Sequence, residues 1–246
     1  MSLDTEMVDR YFSVLETLGI VSSERYARSQ LEDLFGGIDL DNKRVLDIGG
    51  GSGVYSFYAA CMGAKEVICL EPEADGSMGD EFEVYDRLRS TLDRVTVKID
   101  TRTIQEYGND RGKFDVILMH ASINHLDETA CINLLEDKSS WEKYRRLLSL
   151  VSELAAPGAR LIVCDCSRYN FFAFLRIKNP LVPAIEWHKH QAPEVWARLL
   201  EEVGFCDPEI RWEPLYRFRK IGRLFLANKV ASYFLKSVFC LRMTKA

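Results

Sequence analysis

Ten residues, Arg44-Val45-Leu46-Asp47-Ile48-Gly49-Gly50-Gly51-Ser52-Gly53, constrain the fold of this chain more than any other stretch. Val45, Leu46 and Ile48 read as a short buried strand. The glycines behind it force a tight turn with no side chains in the way, and Val54 to Met62 reads as a helix with an apolar face. Strand, glycine turn and helix form the first unit of a nucleotide-binding α/β sheet. The glycines let a ligand touch backbone, and the helix start offers free N–H groups.

The spacing of the glycines selects the ligand. The dinucleotide fingerprint G-x-G-x-x-G/A fits no frame, because the sixth position counted from Gly49 is Val54 and from Gly51 is Ser56. The pattern is instead D-x-G-x-G-x-G, through Asp47, Gly49, Gly51 and Gly53, with Gly50 between them. An acid just before the turn suits a ligand carrying an ammonium and a sulfonium rather than a pyrophosphate. A ligand-free turn is the plainer reading, but three spaced glycines and an acid are costly in a purely structural turn. The run resembles motif I of the class I S-adenosylmethionine (SAM)-dependent methyltransferases. That resemblance implies SAM as cofactor and S-adenosylhomocysteine as product.

Two further strands end in acids. Glu66 to Glu71 is apolar and places Glu71, followed by Pro72, 18 positions after Gly53. A carboxylate at the end of strand two can accept both ribose hydroxyls of an adenosine. Val95 to Asp100 alternates and ends in Asp100. In the methyltransferase pattern this acid meets the adenine amino group and the backbone N–H of Thr101 meets a ring nitrogen. Strand four, Phe114 to Met119, runs into His120, Asn124, His125 and Leu126. This run resembles the family's segment after strand four, which places His120 beside the cofactor. The amino-methylating [DNS]-P-P-[YFW] motif is missing, and so is a Pro-Cys nucleophile. With an acidic net charge of −5, nucleic acid falls away as a substrate.

Ahead of the glycine turn, residues 4–19 carry Tyr11, Phe12, Leu15 and Leu18 at helical spacing, and Ser22-Ser23-Glu24 can cap a second helix through Phe35. The resemblance puts these helices over the cofactor pocket, where Tyr26 and Arg28 reach the SAM carboxylate or remain exposed helix residues. Past strand four come a helix over 139–155, strand five ending Cys164-Asp165-Cys166, a helix over 192–203, and strands at Pro208–Trp212 and Val238–Met243. The fold class implied is α/β: a doubly wound seven-stranded sheet, mostly parallel with an antiparallel last strand, order 3-2-1-4-5-7-6, helices on both faces and an N-terminal helical cap over 1–37. The 246 residues read as one domain. No apolar run reaches membrane-spanning length and the N-terminus has no signal-peptide pattern, so a cytoplasmic protein with its seven cysteines as reduced thiols is expected. Strand alternation explains Cys164 and Cys166 without a metal.

Charge and aromatic residues gather in two inserts. From Ser167 onward the chain has fourteen Lys and Arg against seven Asp and Glu, a net +7, while the rest has 18 against 30, a net −12. Residues 167–191 hold Tyr169, Phe171, Phe172, Phe174 and Trp187. Residues 214–236 hold Arg217, Arg219, Lys220 and Arg223 interleaved with Tyr216, Phe218, Phe225, Tyr233 and Phe234. Both read as a packed helical cap, as a cover for an apolar or anionic substrate, or as a patch resting peripherally on anionic lipid. All four histidines, His120, His125, His188 and His190, follow strands four and five, where a doubly wound sheet opens its ligand crevice. They are the candidate bases. The expectation is a SAM-dependent methyltransferase that transfers to an oxygen of a small molecule. Alternatives are a lipid-linked or protein substrate, or an idle SAM-binding fold.

Overall fold

The computed structural model describes residues 3–72, 78–108, 112–214 and 225–246. Seven strands form one sheet in the order β3-β2-β1-β4-β5-β7-β6, as expected. They are β1 (Arg44–Ile48), β2 (Glu66–Leu70), β3 (Lys98–Asp100), β4 (Phe114–His120), β5 (Ala155–Cys166), β6 (Phe205–Trp212) and β7 (Val238–Lys245). β1 to β3 and β1 with β4 pair in parallel, whereas β7 runs antiparallel to both β5 and β6. Val45 to Ile48 of β1 and Val67 to Leu70 of β2 are buried without a break because a parallel strand is covered on both faces. Helices flank the sheet on both faces. The chain divides into two compact units, Met1–Leu118 and Met119–Ala246.

In the first unit, α1 (Leu3–Thr17) and α2 (Glu24–Phe35) precede the sheet, and α3 (Val54–Cys61) follows β1. Tyr11, Phe12 and Leu15 on α1 are fully buried, as the helical spacing requires. The Tyr11 hydroxyl donates to the Val54 carbonyl at 2.7 Å, and the Tyr11 ring packs on Phe12 and Tyr58 with centroids 5.2 and 5.7 Å apart. This fixes the start of α3, and with it the end of the glycine turn. Helix α4 (Met78–Thr91) leads to β3, and α5 (Ile104–Tyr107) leads to β4. β3 is shorter than the alternation from Val95 suggests. The Val97 carbonyl is taken by the Tyr85 hydroxyl at 2.7 Å, and the ladder begins at Lys98. Ser23 stands at the N-cap of α2 but makes no side-chain cap there.

In the second unit a 3₁₀ turn (Ile123–Leu126) and α6 (Glu128–Ile132) follow β4. Helix α7 (Lys138–Leu154) is capped by Asp137, which accepts from the Ser139 and Ser140 amides at 3.0 and 3.1 Å. Helix α9 (Pro193–Glu202) packs against α7 through Trp196, wholly buried, whose ring lies 5.2 Å from that of Tyr144. Between β5 and α9 lie α8 (Phe171–Leu175) and a 3₁₀ turn (Trp187–Lys189); α10 (Lys229–Phe234) precedes β7. Of the basic insert at 214–236, Tyr216, Arg217, Phe218, Arg219, Lys220 and Arg223 lie outside the described residues. No described helix is long and apolar enough to cross a membrane.

Candidate functional site

The glycine turn at the end of β1 is drawn tightly against its neighbours. Gly49, Gly51 and Gly53 take positive φ of 68°, 52° and 75°. Gly50 is required for a different reason: a Cβ there would lie 2.5 Å from the Cys69 sulfur and 2.9 Å from Asp47 Oδ2. The Gly49 amide donates to the Leu70 carbonyl at 2.7 Å, tying the turn to the end of β2.

Three carboxylates surround this turn. Asp47, 1% exposed, accepts from the Ser56 hydroxyl at 2.7 Å through Oδ2, while its buried Oδ1 has no partner. Burial first, and then the charge of Glu71, pushes its carboxyl up from 3.8 to about 7, against the opposing pull of Ser56. Glu71, just past β2, accepts from the Gly51 amide at 2.7 Å through Oε2. Burial raises its carboxyl; the Gly51 hydrogen bond opposes this and the nearby Glu81 adds to it. Glu81 on α4 places its carboxylate 3.4 Å from where a Gly51 Cβ would stand. No Lys, Arg or His forms an ion pair with these three acids among the described residues. A pyrophosphate would meet repulsion here, and a cation would be held.

The remaining predicted cofactor residues lie at the next strand ends. Pro72 is half-buried after Glu71, and the Glu71 amide donates to the Asp100 carbonyl at 2.9 Å. Asp100 is gripped by Arg102: Nε donates to Oδ1 at 2.9 Å and Nη2 to Oδ2 at 2.7 Å. The Arg102 backbone amide also donates to Oδ1 at 3.2 Å, so that oxygen takes two donors. Thr101 between them is exposed. Arg28 is occupied elsewhere, donating to Asp9 and Glu24 at 2.9 Å each and lying 4.3 Å over the Phe12 ring.

The second unit holds the four histidines. His120 ends β4, and burial pulls its imidazole down from 6.5 to about 4, so the ring is neutral at neutral pH. The next residue, Ala121, takes φ +52° and donates its amide to the Cys164 carbonyl at 2.7 Å, coupling the end of β4 to β5. His125 Nδ1 lies 2.7 Å from Glu128, and its Nε2 lies 3.4 Å from the amide of Asn124, which is buried with Oδ1 unpartnered. Glu128 also pairs with Lys189 at 3.2 Å, so the segment after β4 is clasped to the one before α9. His188 is exposed on the 3₁₀ turn.

His190 stands in the most ordered setting of the four. Its Nδ1 lies 2.8 Å from Asp165 Oδ1, and Asp165 is 3% exposed near the end of β5. The Cys166 amide also donates to Oδ1 at 2.7 Å. A carboxylate only accepts, so in the neutral ring a proton on Nδ1 points to Asp165 and Nε2 presents its lone pair. Sequence reasoning named His190 without its partner. The available signal was the one already used for Glu71 and Asp100, an acid at a strand end. A cavity of about 610 Å³ opens beside this segment, lined by Arg168, Tyr169, Phe174, Ile177, Trp187 and His188 among others.

Residues 22–227 match the family model described as a methyltransferase domain. Solved structures of similar fold include a Listeria monocytogenes protein assigned as a SAM-dependent methyltransferase (14% identity, 90% of this chain and 97% of that one, TM-score 0.59). A SAM-dependent methyltransferase of Archaeoglobus fulgidus aligns at 18% identity over 96% and 99% of the two chains, TM-score 0.57. The magnesium protoporphyrin IX methyltransferase of Synechocystis PCC 6803 with bound S-adenosylhomocysteine aligns at 15% identity over 91% and 84%, TM-score 0.56. No curated protein matches the chain.

Proposed function

The chain belongs to the methyltransferase-domain family, and on that premise we propose that it carries a methyl group from SAM to an oxygen of a small apolar or anionic acceptor. The cofactor supplies an electrophilic methyl carbon on a sulfonium. Asp47, Gly49, Gly50, Gly51, Gly53, Glu71, Pro72, Asp100 and Thr101 would hold it, with His120 as a further contact. The donor set fits such a ligand: a buried carboxylate with an unpartnered oxygen, flanked by two more acids and backed by a turn in which a Cβ at Gly50 would clash. Asp47 and Glu71 compensate cationic charge, and Asp100 accepts from an amino group.

The Asp165–His190 pair carries the choice of reaction. Asp165 fixes the tautomer and keeps Nε2 of His190 free to take a proton. In the proposed step the acceptor O–H bond breaks toward Nε2 of His190, the oxygen–carbon bond forms, and the carbon–sulfur bond breaks. The products are the methyl ether or ester, S-adenosylhomocysteine and a proton. Holding the acceptor in line is worth several kcal/mol on its own. His125 and His188 are the other candidate bases; His125 is engaged with Glu128, and His188 lines the cavity wall. The reading is of one domain over 1–246 with the N-terminal helices as a cap, working in the cytoplasm where its buried thiols stay reduced.

The test is transfer of labelled methyl from SAM to a panel of phenols, carboxylic acids and amines, with calorimetric SAM binding run in parallel. His190→Ala and Asp165→Asn are expected to keep SAM affinity and to lose transfer to oxygen acceptors, on the order of 10²-fold or more for a general base. Transfer to amines alone, or full activity in both variants, overturns the oxygen reading. SAM binding with no transfer to any class would leave an idle SAM-binding fold.

A further inference from the structure

We propose that the face of the second unit built by α8 and α10 docks on an anionic phospholipid bilayer, and that the acceptor is a negatively charged amphiphile drawn from it. The acceptor clause rests on the methyltransferase reading above; the docking does not. Among the described residues ten large hydrophobic side chains are exposed, and eight of them fall in residues 169–181 and 225–234. Phe174 is 77% exposed, Val230 71% and Phe225 64%. The five residues Phe174-Leu175-Arg176-Ile177-Lys178 are all exposed, three apolar and two basic. The face is built rather than loose: the Phe171 and Phe234 rings pack 5.4 Å apart and join α8 to α10. A monomer rarely leaves so many apolar groups together in water without a use for them.

The charges choose the occupant. Arg168, Arg176 and Lys178 form no ion pair among the described residues, whereas Lys189 and Lys229 pair with acids. Residues 167–190 hold a single acid, Glu186, and it is paired with Lys189. Protruding aromatic and aliphatic side chains ringed by unpaired cations are what insertion at an anionic lipid interface requires. A symmetric second copy would set Arg176 and Lys178 against their own kind. Single-stranded nucleic acid would stack on the rings alone and leave Leu175, Ile177, Leu181 and Val230 facing water, whereas a lipid interface takes all eight apolar side chains. The same face leads into the 610 Å³ cavity, whose lining combines Arg168, Arg176 and Lys178 with Tyr169, Phe174 and Ile177. That mixed lining suits a ligand with an anionic head and an apolar tail.

The experiment is co-sedimentation of the full chain with vesicles of phosphatidylcholine alone and of phosphatidylcholine mixed with phosphatidylglycerol. S-adenosylhomocysteine binding is measured on the same preparations. Binding is expected to the anionic vesicles only and to fall as salt is raised. Lys178→Glu is expected to weaken it by at least about fivefold, the worth of one basic residue at such a surface, and Phe174→Ser with Ile177→Ser to abolish it. All variants should keep S-adenosylhomocysteine affinity, which shows them folded. Failure to sediment with anionic vesicles overturns the proposal, as does undiminished sedimentation of the variants. Self-association or RNA binding lost in these variants, with no vesicle binding, assigns the face to another partner and overturns it too. Loss of S-adenosylhomocysteine binding in the parent would instead strike the methyltransferase reading and leave docking to be judged on the vesicles.

Discussion

Asp47→Asn tests the cofactor cradle where it is most exacting. The Asp47 carboxyl is buried, holds Ser56 through one oxygen and has no partner for the other. Burial and the charge of Glu71 raise it from 3.8 to about 7. Between about pH 4 and 7 the folded chain keeps this proton while the unfolded chain has lost it. The native state then binds more protons, so stability falls as pH rises through that window and the full cost is present above it. The gap from 3.8 to about 7 corresponds to on the order of 4 kcal/mol at pH 8. Asparagine keeps the size and an acceptor for Ser56 and carries no charge. Urea unfolding should show the variant more stable than the parent by about 2–4 kcal/mol near pH 8, a gain that shrinks as pH falls and is nearly gone near pH 4. Equal stability near pH 8, or a gain that persists unchanged near pH 5, would refute the reasoning.

The same carboxyl links cofactor binding to protons. A cation placed beside Asp47 favours its ionised form. With a carboxyl near 7 in the free protein, SAM binding at about pH 6 should release close to one proton, and at about pH 8 only about a tenth of one. Calorimetry in two buffers of different ionisation enthalpy measures this directly. Asp47→Asn should bind SAM more weakly and release no proton.

Other outcomes follow from individual contacts. Glu71→Ala removes a charged partner of the Gly51 amide and the proposed ribose acceptor, and should weaken S-adenosylhomocysteine by at least about tenfold in calorimetry. S-adenosylhomocysteine should raise the melting temperature, with about 2.7 kcal/mol of stabilisation at a hundred times its dissociation constant, whereas NAD should leave it unchanged because three carboxylates face the turn. The His120 ring, pulled down to about 4, should show no NMR titration between about pH 5.5 and 8; a midpoint near 6.5 would mean that the ring is solvated rather than buried.

The glycine turn and the acids at the strand ends were legible because their signals are local. An apolar strand, an acid and spaced glycines are contiguous, and the structure sets Gly50 against Asp47 and the Gly51 amide on Glu71. Partners brought from a distance were not legible. Glu81 reaches Gly51 from α4, 30 positions on, and nothing in its helical context sets it apart from the other acids of that helix. Arg102 was overlooked for the opposite reason: it is adjacent, and a basic residue in a turn normally reads as solvated surface, yet its planar guanidinium is aligned with both oxygens of Asp100.

The Asp165–His190 pair shows the limit more sharply. Asp165 and His190 are 25 positions apart, separated by the insert that carries α8. Strand alternation accounts for the two cysteines on either side of Asp165, and although an acid at a strand end marks a ligand position, nothing in the sequence shows that its neighbour in space is an imidazole. What brings them together is the clasp at the end of the insert. The Lys189 carbonyl accepts from the Cys131 thiol at 3.3 Å, the Gln191 side-chain amide donates to the Cys131 carbonyl at 2.5 Å, and Lys189 pairs with Glu128. Residues 189 and 191 are thus pinned on both sides of His190, and the ring has little freedom left except to meet Asp165. A long insert in this position therefore does more than cover the cavity. Its last three residues hold the His190 imidazole, and exchanging Gln191 for a residue without its amide would loosen that ring by releasing the Cys131 carbonyl.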